Sequence, residues 1–239
     1  MQLVQATRDA LLKPLSTVVG IVERRHTLPI LANILLRKNG SDVSFLATDL
    51  EVQITTNADF GVGEDNAATT VAARKLLDIL KALPDFGDVR LGLDSGKLTI
   101  QSGKSRFQLQ TLEAADFPVL NLPEQWDVSL SMPQRTLKHL FNTVHFAMAQ
   151  QDVRYYLNGM LFELDQNTLR SVATDGHRMA VALVSLEGSF DNKQIIVPRK
   201  GVQELSKLLD APEQPVTLQI GSSNIRAEVN NFVFTSKLV

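Results

Sequence analysis

Apolar residues recur at two periods along this chain, and the segments that carry them follow one another in a fixed order. Leu11, Leu15, Val18 and Val22 fall at helical spacing and predict a helix over 7–25. Leu76, Ile79, Leu80 and Leu83 do the same over 72–83, and further helices are expected over 133–149 and 198–209. Pro14 should kink the first helix or displace its start, because proline lacks the helix N–H and clashes with the turn before it. Alternation at Leu50, Val52 and Ile54 predicts a strand over 43–57, with others at 2–6, 30–38 and 68–72. Leu91/Leu93 and Leu98/Ile100 flank Asp94-Ser95-Gly96-Lys97 as a hairpin, and Phe107/Leu109 follow the turn around Gly103. In the second half, strands are expected at 128–132, 156–164, 169–184 and 194–197. Val216, Leu218 and Ile220 then alternate before Gly221-Ser222-Ser223-Asn224, and Phe232 and Phe234 mark a last strand.

The two halves therefore repeat one order of elements. Ala47-Thr48-Asp49 recurs as Ala173-Thr174-Asp175, 126 residues later, and the same ungapped offset pairs Leu11 with Leu137, Leu35 with Leu161 and Val71 with Val197. A period this long is a whole domain, since solenoid units span roughly 20–50 residues. The expected domains are 1–120 and 128–239, joined through 113–127, which holds Pro118 and Pro123 and shows no clear period. Each reads as two helices packed on one face of antiparallel sheet, an α+β class. Repeat one runs on past Leu112 into Glu-Ala-Ala-Asp-Phe-Pro, whereas repeat two reaches the equivalent Leu238 and then Val239. The expectation is that the natural protein continues.

Composition narrows the functional classes. The 239 residues are 44% hydrophobic and 21% charged, ordinary for globular domains with sizeable cores. Zero cysteines exclude disulfides, thiol catalysis and cysteine metal sites. No apolar stretch is long enough to cross a bilayer, and Met1–Arg8 is no secretory signal, so a cytoplasmic location is expected. Net charge is −2, but it is unevenly spread. The four expected helices hold 12 basic residues against 4 acidic ones, and the rest of the chain holds 12 against 22. Helices favour Glu as readily as Lys or Arg, so propensity alone does not explain this bias. Basic helices on an acidic shell suit a surface that meets phosphates.

Catalytic and metal chemistry find little footing. Thr174-Asp175-Gly176-His177-Arg178 is the most tempting cluster, yet no Ser, Cys or second acid stands at a triad spacing. Repeat one keeps Asp49 but has Leu50 and Glu51 where Gly176 and His177 stand, so the shared Asp reads first as a turn or strand-end residue. His26, His139, His145 and His177 form no metal spacing. Gly103-Lys104-Ser105 lacks the first glycine of a phosphate loop and lies between strands. No cofactor and no metal are expected.

Three blocks are specific. They are Gln151-Asp152-Val153-Arg154-Tyr155-Tyr156-Leu157-Asn158-Gly159, then Ala173-Thr174-Asp175-Gly176-His177-Arg178, then Val197-Pro198-Arg199-Lys200-Gly201. With Thr27-Leu28-Pro29-Ile30-Leu31 and Ala114-Ala115-Asp116-Phe117-Pro118, they resemble the bacterial DNA polymerase III beta subunit, the sliding clamp. The resemblance runs from Met1 to Val239. It implies tandem DNA-clamp domains, of which the family has three per chain, with two chains closing a ring; the third is not represented here. It further implies a non-catalytic processivity factor of DNA replication that encircles duplex DNA and tethers polymerases.

By matching position, the resemblance implies DNA contacts at Arg24, Arg25, Arg74, Lys75, Gln151, Arg154, Tyr155, Tyr156, Arg199 and Lys200. Duplex contacts would be sequence-independent, and the tyrosines could stack on single-stranded bases. Leu157, Thr174, Gly176, His177, Arg178 and Met179 match half of a peptide pocket for the replicative polymerase, clamp loader, repair polymerases and mismatch-repair factors. Met179 stands where Leu is commoner in the family. Lys104, Arg106 and Leu109 match the edge that meets a neighbouring subunit. The full-length family member is a homodimer; the present chain is expected to be monomeric. Two other readings stay open: a two-domain clamp that forms a trimeric ring, and a hydrolase using Asp175 and His177.

Overall fold

The computed structural model of the protein describes residues 1–22 and 28–239. The chain divides into two compact units, Met1–Leu120 and Asn121–Val239. The first holds β1 (Gln2–Thr7), α1 (Arg8–Val19), β2 (Asn33–Asn39), β3 (Asp42–Thr48), β4 (Val52–Asp59), β5 (Ala67–Ala72), α2 (Ala73–Ala82), β6 (Asp88–Asp94), β7 (Lys97–Ser102) and β8 (Ser105–Leu112). Its strands pair antiparallel in the order β1-β6-β7-β8-β5-β2-β3-β4. The second holds β9 (Val128–Pro133), α3 (Gln134–Val144), β10 (Gly159–Thr174), β11 (Met179–Pro198), α4 (Arg199–Leu208), β12 (Pro215–Ile220), β13 (Asn224–Val229) and β14 (Phe232–Lys237). Here β9-β12-β13-β14 form one antiparallel sheet, and β10 and β11 form a long hairpin. Among the described residues no helix is long and apolar enough to cross a membrane.

The 126-residue offset holds in three dimensions. Adding it to the starts of β1, α1 and α2 gives the starts of β9, α3 and α4. The pairs Asn33↔Ala72 and Thr48↔Gln53 become Gly159↔Pro198 and Thr174↔Met179 at the same offset. One ladder therefore serves both units, although β10 runs unbroken where β2 and β3 are separate strands.

Each helix buries the stripe that its periodicity marks. Leu11, Leu15 and Val18 of α1 and Leu76 and Leu80 of α2 are fully buried, as are Leu137, Leu140 and Val144 of α3. Val202 and Leu205 of α4 are buried to within 1%. Burial of such side chains is worth roughly 1.5–3 kcal/mol each. Pro14 lies inside α1 and is buried there; it neither ends the helix nor displaces its start, which Thr7 fixes by accepting the Ala10 N–H at 3.3 Å.

The other three helices have no side-chain cap and follow a strand directly. Their free N–H groups must bond elsewhere. In α3, Gln134 N–H donates to the Gln214 carbonyl at 2.9 Å and Arg135 N–H to that of Pro212 at 3.0 Å. The fully buried Gln134 side chain also accepts the Ala211 N–H and donates to Asn230 Oδ1, both at 3.0 Å. In α4, Arg199 N–H donates to the Asn158 carbonyl at 2.9 Å.

Several expected boundaries are corrected. The strands expected over 43–57 and 169–184 each contain a reversal, at Asp49–Glu51 and at Asp175–Arg178. In the first, the Asp49 carboxylate accepts the Glu51 and Val52 N–H groups at 2.9 and 2.7 Å. In the second, Asp175 accepts those of His177 and Arg178 at 2.9 and 3.0 Å. Residue 50 or 176 turns left-handed, at φ 78° for Leu50 and 88° for Gly176. Alternation continues on both sides of so tight a turn, which hides it. Thus Leu50 sits in the turn and not on a strand face with Val52 and Ile54.

The helix expected over 7–25 ends at Val19, where Gly20 N–H bonds the Thr17 carbonyl at 3.2 Å, and residues 23–25 lie outside the described residues. The helix expected over 133–149 ends at Val144, where His145 Nδ1 reaches the Phe141 and Asn142 carbonyls. Short 3-10 turns replace the first residues of two expected strands, at Pro29–Ala32 and Tyr155–Leu157.

The Ala-Ala-Asp-Phe-Pro segment covers the second face of the first sheet. A 3-10 turn at Ala114–Asp116 brings Phe117, 5% exposed, onto Leu35 and Leu46, with Ile30 and Ala114 alongside. Just beyond, Leu120 N–H donates to the buried Gln53 Oε1 at 3.0 Å. Phe117→Ala is expected to cost about 3–5 kcal/mol of unfolding free energy. Urea denaturation measures it, and a loss below about 1 kcal/mol would mean the face does not need this plug.

Candidate functional site

The loop between α3 and β10 and the turn between β10 and β11 meet around an open groove of about 450 Å³ in the second unit. Its walls include Phe146, Gln151, Asp152, Arg154, Asp175, His177, Arg178 and Arg199. Gln151 turns left-handed at φ 58° and starts the loop. Asp152 then accepts three hydrogen bonds from Arg154, at 2.8 Å from its N–H, 3.0 Å from Nε and 2.9 Å from Nη2. The Asn158 amide closes the loop: its Oδ1 accepts the Asp152 N–H at 2.9 Å and its Nδ2 donates to the Asp152 carbonyl at 2.8 Å. Gly159 follows where a Cβ would stand 2.6 Å from the Val197 carbonyl oxygen, so no side chain fits this junction.

Within that frame Tyr155 and Tyr156 stand edge to face with centroids 5.9 Å apart, 70% and 49% exposed. Such exposure is unusual for adjacent aromatics.

The turn presents a different surface. Thr174 Oγ1 accepts the Gly176 N–H and donates to the Arg178 carbonyl. Arg178 Nε donates to Asp175 at 3.0 Å, and its guanidinium lies 5.4 Å from the centre of the Phe146 ring. Glycine at 176 serves two ends: it takes the left-handed turn, and it leaves room for Arg154, whose Nη2 would lie 3.1 Å from a Cβ there. Beyond the turn, Met179, Val181 and Leu183 are 68%, 45% and 61% exposed at alternating positions of β11, an apolar row, and Leu157 is half-buried.

The Asp175 carboxyl is spent on the turn. The His177 N–H, then the Arg178 N–H and the Arg178 side chain, lower its pKa. Among the described residues no imidazole bonds to it, so the geometry there gives the hydrolase reading no acid–base pair. Among the described residues no group of three or more potential ligand side chains could hold a metal.

The other candidate residues fall as follows. Arg24 and Arg25 lie outside the described residues. Arg74 and Lys75 are exposed on the first turn of α2, with Arg74 Nη2 bonded to the Val22 carbonyl at 2.6 Å. Arg199, half-buried, reaches the Met148 carbonyl at 3.0 Å, and Lys200 follows it on α4. Lys104 sits in the turn between β7 and β8, with Arg106 exposed and Leu109 half-buried on β8. Thus one groove joins Gln151, Arg154 and Arg199 with His177 and Arg178, while Arg74 and Lys75 stand in the other unit. Reading the sequence by residue type missed Asp152, Asn158 and Phe146; the only signal was the Asp-x-Arg and Asp-x₅-Asn spacing inside the first quoted block.

Comparison with known proteins decides the family. Residues 1–122 match the DNA polymerase III beta subunit, N-terminal domain, and residues 131–239 match the DNA polymerase III beta subunit, central domain. The chain belongs to the DNA polymerase III beta subunit family. It is 55% identical over 234 residues to the beta sliding clamp of Vibrio cholerae and 48% identical over 233 residues to that of Escherichia coli K12. Each alignment covers 97% of this chain and 63% of the relative, so the chain spans less than two thirds of their length. The crystal structure of the DNA polymerase III subunit beta from Pseudomonas aeruginosa superposes with a TM-score of 0.96 at 46% identity, covering 100% of this chain and 65% of that one. The α+β tandem-clamp architecture is that of the family.

The loop's ion pair has a pH signature. Hydrogen bonds from the Arg154 side chain and backbone N–H hold the Asp152 carboxyl at about 2, with a smaller contribution from the charge of His177. The folded value lies below the unfolded one, so the unfolded chain binds more protons between roughly pH 4 and 2. The stability this pair contributes is complete above that window and is lost as pH falls through it. Carbon-detected NMR of the Asp152 carboxyl should give a midpoint near 2, rising toward the ordinary carboxylate value in Arg154→Gln. An unchanged midpoint in that variant would show that Arg154 is not the cause.

Proposed function

We propose that this chain supplies DNA-encircling and partner-tethering surfaces of a sliding clamp, the non-catalytic processivity factor of a replicative DNA polymerase. The observation that carries the reading is the 126-residue repetition of a clamp domain whose helices hold an excess of basic side chains. Their contact with duplex DNA would be through phosphates, independent of sequence and weak in salt. A topological link makes weak contacts sufficient, because a ring need not grip the duplex it encloses. A polymerase tethered to such a ring rebinds intramolecularly, which is processivity.

Four surfaces take roles in this reading. Arg74, Lys75, Arg199 and Lys200 open helices toward phosphate. Gln151, Arg154, Tyr155 and Tyr156 form a loop contact, with Arg24 and Arg25 as further candidates. Leu157, Thr174, Gly176, His177, Arg178 and Met179 form half of a pocket for a short hydrophobic peptide of polymerases, the loader and repair factors. The exposed apolar row at Met179, Val181 and Leu183 favours such a partner. Lys104, Arg106 and Leu109 form an edge for a neighbouring subunit. By the family resemblance, the other half of the pocket and the surface opposite that edge belong to a third domain. The 239 residues alone are therefore expected to stay monomeric.

Fluorescence anisotropy on a primed duplex across a salt series tests the DNA contact. Affinity should fall steeply with salt, and Lys75→Ala should reduce the slope of log affinity against log salt by about 1. A salt-independent affinity would overturn the phosphate reading. Analytical ultracentrifugation of the 239-residue chain should show a monomer; a stable trimer would favour the two-domain ring instead.

A further inference from the structure

Asn158 is bound to both main-chain groups of Asp152, as one rung of a β-ladder would be, except that one strand is a side chain. The two bonds, 2.9 and 2.8 Å, close a seven-residue loop from 152 to 158. Inside it Leu157 N–H donates to the Arg154 carbonyl at 2.9 Å and Asn158 N–H to that of Tyr155 at 3.1 Å, winding the tyrosines into a single 3-10 turn. Both side chains are exposed, Tyr155 at 70% and Tyr156 at 49%, so little packing holds them there. Their direction follows from the backbone turn, and the turn follows from the Asn158 amide. The main-chain carbonyl of Asn158 does separate work, accepting the Arg199 N–H at the start of α4.

We propose that the Asn158 side chain is the positioning residue for the nucleic-acid contact of Tyr155 and Tyr156, presetting their rings by closing the loop while making no contact with DNA itself. This rests on the reading of that loop as a DNA contact. A preset loop keeps its ordering entropy out of the binding equilibrium, so removing the amide should weaken binding without removing any contacting group. An amide accepts from one main-chain group through its oxygen and donates to the other through its nitrogen, which alanine or an ionised carboxylate cannot do. The α4 junction should survive the substitution, since the backbone carbonyl remains.

A double-mutant cycle separates positioning from general stability. Anisotropy with a fluorescein-labelled primed oligonucleotide at fixed low salt is measured for the unaltered chain, Asn158→Ala, Tyr155→Ala/Tyr156→Ala and the triple variant, with thermal unfolding of all four. Asn158→Ala should weaken binding about tenfold when the tyrosines are present, the order of one lost base stack. It should weaken binding less than about twofold when they are absent. Its effect on the melting temperature should be the same in both backgrounds. An equal loss of affinity in both, or no loss in either, overturns the proposal. If the tyrosine pair can be removed without loss, the loop's role in DNA contact fails as well, a result distinct from failure of the positioning alone. Should Asn158→Ala fail to fold, Asn158→Asp keeps the acceptor, loses the donor and runs through the same cycle.

Discussion

A carboxylate that accepts two backbone N–H groups reverses the chain once in each unit, and much of the structure is set by that bond. Asp49 fixes the register of β3 on β4, and Asp175 fixes that of β10 on β11. A slip of one residue would carry every apolar side chain of those strands to the opposite face. The helices pack against the face so defined. In the second unit the same turn carries His177 and Arg178 to the groove and opens the exposed row that starts at Met179. The first unit builds the turn with Leu50 in a left-handed conformation, the second with Gly176, so the bond tolerates a residue that the backbone disfavours.

Two of the four helices, α3 and α4, depend on distant chain segments for their first hydrogen bonds. Ala72, Pro133 and Pro198 offer no side-chain cap. For α3 the Pro212 and Gln214 carbonyls supply the partners, while the buried Gln134 side chain ties the same loop by accepting the Ala211 N–H, and for α4 the Asn158 carbonyl does. The start of α4 is thereby tied to the loop that carries Arg154, Tyr155 and Tyr156. Such a junction ties the start of the helix to that loop without any flexible linker between them.

The charge of the helices is partly engaged within the fold. Arg135 pairs with Glu213, Lys207 with Glu204, Lys138 with the Leu209 carbonyl and Arg74 with the Val22 carbonyl. An exposed ion pair such as Arg135–Glu213 holds little energy, commonly under 1 kcal/mol. Arg154 differs, because bonds from its Nε and Nη2 to Asp152 and its close approach to Gly176 hold its guanidinium. It shapes the loop and the turn together, a role that its charge alone does not suggest.

Periodicity found all four helices and the offset between the units, because buried stripes such as Leu76 and Leu80 or Leu137 and Leu140 are written directly in residue spacing. The quoted blocks carried the family, whose specific matches are local in sequence. Periodicity did not show the reversals at Asp49 and Asp175, since alternation persists across so short a turn. Nor could it show where α1 and α3 stop, or that Phe117 covers Leu35 and Leu46. The groove that joins Arg154, Arg199, His177 and Arg178 depends on the pairing of β10 with β11 and on hydrogen bonds between main chain and side chain. The sequence by itself determined the repeated α+β domains and their cores, because burial follows from local spacing. Only the tertiary structure decided how the loop, turn and helix start meet, because their bonds link residues far apart in the chain.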